Sequence, residues 1–99
     1  MNKVTGYVIR NTWLGGTRHG WGNGYVIIPK GHLLHGRFYD NIDIDVHGGL
    51  TYSEKNDVDD TWVIGFDTCH CDDNMENWKY KDVIEETGAV AVCLRPCKY

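Results

Sequence analysis

Thr61-Trp62-Val63-Ile64-Gly65-Phe66-Asp67 is the most hydrophobic run of this chain, and its reading decides the fold. Short, β-branched and aromatic, it predicts a central strand covered on both faces. Gly65 leaves a gap there for the approach of another backbone or a ligand. The end of this strand delivers Asp67, Thr68, Cys69 and His70 into a loop. Upstream, Tyr25-Val26-Ile27-Ile28-Pro29 predicts a second strand, ended by proline. Val4, Tyr7, Val8 and Ile9 predict an opening strand over residues 3–10. Downstream of Trp78 the spacing changes, because Tyr80, Val83, Ile84 and Thr87 follow the i, i+3, i+4, i+7 rule of an amphipathic helix. Asn77 can cap its start and Gly88 its end. Residues 89–94 read equally as a last strand or a second helical piece. The expected fold is α+β: an antiparallel sheet of four to five strands with one amphipathic helix, 78–87, packed on one face.

Between the second and the central strand lies Asp43-Ile44-Asp45-Val46-His47-Gly48-Gly49-Leu50-Thr51-Tyr52-Ser53. Its strict polar/apolar alternation predicts a half-buried strand over 41–47. Ile42, Ile44 and Val46 then share one face and Asp43, Asp45 and His47 the other. Gly48-Gly49 is a two-residue hairpin signal, from which 50–53 returns antiparallel. The turn-rich segment 30–40 precedes this stretch, and an acidic loop, 54–60, follows it. Five glycines within 15–24, with Arg18, His19 and Trp21, favour a loop. That loop is a flexible connector or, less simply, an anion cradle around Arg18.

Ninety-nine residues predict a single compact domain, 1–99. With 41% hydrophobic and 12% aromatic residues the chain can fold alone. A formal charge of −4 argues against direct nucleic-acid binding, which needs clustered lysine and arginine. No apolar run reaches the roughly 20 residues of a membrane span, and no secretory signal is evident. A cytoplasmic location with four reduced cysteines is therefore the expectation. Cys69-His70-Cys71 and Cys93-x-x-x-Cys97 lack the usual zinc-knuckle spacing, so thiols or one disulfide are expected in preference to structural zinc.

The chemistry-bearing residues fall into one candidate constellation. If the ends of 41–47 and 61–67 converge, Asp43, Asp45 and His47 meet Asp67, His70 and Asp73, with His32 or His35 arriving from the preceding loop. Such a His/Asp cluster holds a divalent metal that activates water or a phosphoryl group. Alternatively, a carboxylate-oriented histidine works as general acid and base without metal, and His47, His70 and Asp67 are the catalytic candidates. A plainer reading leaves His47 bonding its turn and the aspartates capping loops. Tyr25, Tyr39 and Tyr52 can stack on a base, while His32, His47, Gly48 and Gly49 can take phosphate or ribose.

Four motifs occur in order: Gly24-Tyr25-Val26-x-x-Pro29-x-Gly31-His32; Tyr39-Asp40; Asp45-Val46-His47-Gly48-Gly49-Leu50-Thr51-Tyr52; and Trp62-x-x-Gly65-Phe66-Asp67-x-x-His70-x-x-Asp73. Together they resemble a family of small, uncharacterised bacteriophage and prophage proteins, over residues 24–87. Leu33 stands where that family has proline, and Cys71-Asp72 replaces small residues. The resemblance implies a phage protein in the host cytoplasm rather than an activity. Small acidic phage proteins commonly counter host defences. The leading expectation is a homo-oligomeric protein that sequesters a small nucleotide-derived signal. A hydrolase that cleaves such a signal is the alternative. A third expectation is an inhibitor that docks a host defence nuclease through the acidic loops 54–60 and 72–76.

Overall fold

The computed structural model describes residues 4–11, 19–70 and 73–95. Its architecture is α+β. Four antiparallel strands, β1 (Thr5–Arg10), β2 (Gly22–Ile28), β3 (Tyr52–Asn56) and β4 (Thr61–Phe66), form one sheet in the order β1-β2-β4-β3. One helix, α1 (Tyr80–Cys93), packs on β1 and β2. The hydrophobic run of β4 is central as expected, pairing β2 through Ile64 with Val26 and β3 through Ile64 with Ser53.

Alternation along β2 sorts its residues. Gly22, Gly24, Val26 and Ile28 are buried, while Asn23, Tyr25 and Ile27 are half-buried on the opposite face. Val26, Ile28, Ile64, Phe66 and Val4 join Val83, Val90, Ala91 and Leu94 of the helical side in one apolar core. Gly24 is glycine because a Cβ there would stand 2.0 Å from Thr87 Oγ1 and 2.4 Å from the Phe66 ring. Its missing side chain is what lets α1 lie close to the sheet. Thr87, itself buried, turns its hydroxyl back to the Val83 carbonyl and so needs no partner from the core.

Several expectations give way. Residues 42–46 are not a strand, and Gly48-Gly49 is not a hairpin between ladder strands. The segment keeps the burial its alternation predicts, with Ile42 and Val46 buried and Asp43 and Asp45 exposed. It runs alongside α1 instead, with Asp43, Ile44 and Asp45 bordering a groove shared with Glu86, Ala89, Val90 and Cys93. Period-two burial therefore reflects an extended backbone against an apolar surface, and here that surface is a helix. The true hairpin joins β3 to β4. Glu54 to Asn56 belong to β3, so the acidic loop shrinks to residues 57–60. Within it, Asn56 Oδ1 accepts from the Val58 N–H and Asp59 Oδ1 from the Thr61 N–H, the side-chain turns expected of Asn and Asp.

Helix α1 begins two residues later than its periodicity suggests. Asn77 is not the cap; residues 74–78 form a separate turn around Asn74, whose Oδ1 accepts the Glu76 and Asn77 N–H groups. Lys79 is the N-cap residue, and its N–H donates to the Asp82 carboxylate. Gly88 does not end the helix. Val90, Ala91 and Leu94 bury apolar surface beyond it, which outweighs the roughly 1 kcal/mol that a helical glycine costs. Residues 89–94 are thus continuous with α1 and its C-cap. Gly22 to Gly24, read as loop, form the start of β2. Trp13, Arg18, Cys71 and Cys97 lie outside the described residues, and with them the anion-cradle and cysteine-pairing expectations. No helix among the described residues is long and apolar enough to cross a membrane.

Candidate functional site

Two turns meet beyond the end of β4. The first spans Val46 to Gly49 and is closed by a bond from the Gly49 N–H to the Val46 carbonyl, with positive φ at Gly48 and Gly49. It turns His47 away from the helix-facing segment, while the His47 N–H donates to Glu86 Oε2 of α1 at 2.8 Å. The second follows β4. Thr68, fully buried, ties it down through Oγ1 to the Gly22 carbonyl, and its own carbonyl accepts from the Gly20 N–H. Asp67 Oδ1 accepts the Cys69 N–H, and Asp73 closes the loop by accepting the His70 N–H on Oδ2 and donating its own N–H to the His70 carbonyl.

These turns bring the two imidazoles together. The His47 and His70 ring centres are 5.5 Å apart, edge to face. His47 Nε2 stands 2.8 Å from Asp73 Oδ1, a carboxylate whose side chain is only 4% exposed. A buried carboxylate is costly unless its lone pairs are satisfied, and here one oxygen faces His47 and the other the His70 N–H. His70 Nε2 lies 3.3 Å from Asp67 Oδ1. That separation suits an ion pair, but its angles do not make a hydrogen bond, and the solvent-shielded nitrogen has no other partner among the described residues. Gly48 explains how the ring fits, since a Cβ at that position would sit 2.0 Å from His70 Nε2. The opposite oxygen of Asp67 accepts from Thr51 Oγ1 at 3.0 Å.

Chemically, the corner offers two imidazoles held by two carboxylates. One ring nitrogen from each histidine and an oxygen of Asp73 all lie within 4.8 Å of one another. The same arrangement can orient a proton donor and acceptor or gather ligands for a cation. The neighbouring thiol is disfavoured as a nucleophile. Burial and then the Asp67 carboxylate push the Cys69 thiol above its ordinary value, outweighing the Asn11 amide that opposes them.

The remaining candidates are placed elsewhere. His32 is buried against α1, donating from Nε2 to the Leu94 carbonyl and accepting the Leu34 N–H on Nδ1, so both ring nitrogens are used in holding the 30–40 segment. His35 bonds the Asp60 carbonyl. Neither reaches the corner. Tyr39 begins a short 3-10 turn, with its N–H on Ser53 Oγ and its ring against Phe38. Asp43 and Asp45 are exposed at the border of the groove along α1 and take no part in the histidine cluster. Tyr25 and Tyr52 do come together, on the sheet face away from α1. Tyr7 stacks on Tyr25 at 5.2 Å, and Tyr25 meets Tyr52 edge-on at 5.3 Å. Gly65, the register partner of both Tyr25 and Tyr52, makes room for the Tyr25 ring, so its gap is already filled. Asp67 follows two residues after Gly65, just past the end of β4.

Three contributors escaped the sequence reading. Trp78 packs its ring 4.1 Å from His47, Glu86 holds the His47 backbone, and Thr51 holds Asp67. Trp78 and Glu86 belong in sequence to the helical region, and only the path of 42–46 beside α1 brings them to His47. Compared with known proteins, the chain matches no family model, no curated protein and no solved structure.

Proposed function

We propose that the protein binds a small nucleotide-derived signalling molecule across the histidine corner and the adjoining tyrosine row. One observation carries this reading: His47 and His70, from separate loops, stand 5.5 Å apart with Asp73 and Asp67 holding them. Imidazole N–H groups suit phosphate and ribose oxygens, and Asp67, half-buried at the rim, can accept ribose hydroxyls. Tyr25 and Tyr52 supply π-faces for a base, a contact worth about 1–3 kcal/mol per base. The wider setting, a phage protein that sequesters a host defence signal, rests on the sequence resemblance alone. A homo-oligomer belongs to the same reading, because the corner and the tyrosine row are open surfaces that a second copy would enclose.

The carboxylate-oriented imidazoles favour a second reading, in which the same corner cleaves the molecule, one histidine removing a proton and the other delivering one. A single experiment separates the two. The purified protein is incubated with cyclic dinucleotides and ADP-ribose derivatives, denatured, and the small molecules are recovered. Intact ligand co-eluting with the protein supports sequestration; a linear or shortened product supports cleavage. Neither retention nor turnover across the panel overturns both. In either case His70→Ala is expected to abolish the effect and Tyr52→Ala to weaken binding by about tenfold, the equivalent of roughly 1.4 kcal/mol.

A further inference from the structure

We propose that His47, His70 and Asp73 form a site for a divalent first-row transition ion of the Zn2+ type. The cation site stands on these three side chains; its part in holding a phosphate rests on the binding reading above. The geometry comes first. Donor atoms bound tetrahedrally at about 2.0–2.2 Å lie about 3.3 Å from each other. In this chain His47 Nε2 and Asp73 Oδ1 are 2.8 Å apart, and the whole triad is contained within 4.8 Å, so shifts of an ångström or so would centre an ion. The donor set comes next, since two imidazoles and one carboxylate suit zinc and its neighbours in the first row, whereas calcium and magnesium prefer all-oxygen shells.

An independent observation points the same way. His70 Nε2 is shielded from solvent without a hydrogen-bonding partner among the described residues, yet it lies 3.3 Å from Asp67 Oδ1. A carboxylate beside the second nitrogen of a metal-bound histidine fixes the ring and raises its basicity, so Asp67 would take the Nε2–H and leave His70 Nδ1 as the ligand atom. Asp73 is likewise fixed, because its second oxygen is held by the His70 N–H. On metal binding, the proton between His47 Nε2 and Asp73 is released or moves to His47 Nδ1, leaving Nε2 free to coordinate.

Charge supplies the link to function. The corner carries two carboxylates, Asp67 and Asp73, within a chain of formal charge −4. An anionic phosphate approaching it would be repelled. A divalent ion cancels those two charges, and three protein ligands leave a fourth position open for a phosphate oxygen or water.

The test uses the full chain, purified without chelator, stripped, and titrated with Zn2+ by calorimetry and native mass spectrometry. The expected result is one Zn2+ per chain, lost in His70→Ala and in Asp73→Asn and retained in Asp45→Asn. Asp67→Asn should weaken it about ten- to a hundredfold. His70 is partly exposed, so His70→Ala is the variant that keeps the test decisive if Asp73→Asn does not fold, with circular dichroism as the check. The Co2+ form should show d–d bands without a thiolate charge-transfer band. A thiolate band, the absence of saturable binding, or binding unchanged by His70→Ala would overturn the site. The nucleotide panel is then repeated with and without Zn2+. Metal bound with no nucleotide retained or turned over overturns the binding reading and leaves the cation site standing. Nucleotide bound by a chain that takes no metal does the reverse.

Discussion

At Gly48 the backbone takes φ +68°, and the space a Cβ would fill belongs to His70 Nε2. Two costs coincide there, a left-handed conformation worth about 1–2 kcal/mol for an L-residue and a collision with the imidazole. Gly49 has φ +79° but nothing within 4 Å of an added Cβ, so it carries only the first cost. Both Gly48→Ala and Gly49→Ala should therefore lower the denaturation midpoint. Only Gly48→Ala should also move the His70 ring resonances and weaken metal binding. Equal ring shifts in the two variants would contradict the packing described. Asp73 is the other decisive residue. Asp73→Ala removes charge-assisted hydrogen bonds to His47 and the His70 N–H and is expected to destabilise the fold by about 2–3 kcal/mol in urea titrations.

Among the elements, α1 and the strands beneath it set where the corner can form. Gly24 admits Thr87 and Phe66 into contact distance, so Gly24→Ala should overpack this junction and cost about 1–3 kcal/mol. Gly88 lies in the same helix on its exposed side, with nothing within 4 Å of an added Cβ. Gly88→Ala should raise the melting temperature, by up to about 1 kcal/mol of stability, because it restores helix propensity without a clash. Opposite signs for two glycine-to-alanine changes in contacting elements would establish that α1 continues past residue 88. The segment 42–46 depends on the same helix. Through Glu86, α1 holds the His47 N–H, and so it positions a residue that contacts the ligand in the proposed site.

Over the molecule as a whole, the sheet has two unlike faces, one apolar against α1 and one bearing Tyr7, Tyr25 and Tyr52. Burial, and then the neighbouring Tyr25, push the Tyr7 phenol above its ordinary value. Burial, then the hydrogen bond and charge of Glu54, push Tyr52 up likewise. Raised values mean that the folded state holds these protons more tightly than the unfolded chain. That contribution to stability is complete below pH 10, the ordinary tyrosine value, and is lost as pH rises through the folded values. An absorbance titration should therefore show tyrosinate forming later in the native protein than in denaturant. Glu54→Gln should bring the Tyr52 step back toward the ordinary value. A native titration that coincides with the denatured one would refute the coupled row.

Much of this was legible in residues alone. The β4 run reads as central because it is apolar on both sides, and the alternation of 42–46 correctly separates its buried from its exposed residues. Helix spacing from Tyr80 to Thr87 marks the face that meets the sheet only in part, since Val83 and Thr87 are buried while Tyr80 and Ile84 are exposed. These are properties of single segments, set by which side chains avoid water. Partnership is not such a property. The same alternation serves a strand in a ladder or an extended run along a helix, and only the packed molecule chose the helix. For the same reason Gly88 could pass for a helix end until Val90, Ala91 and Leu94 were found buried beyond it. His32 also resembled a ligand until Leu94 and Leu34 were found to occupy both its nitrogens. Sequence thus determined what each segment wants to bury, while tertiary structure decided which surface receives it, because that choice is a contact energy between residues far apart in the chain.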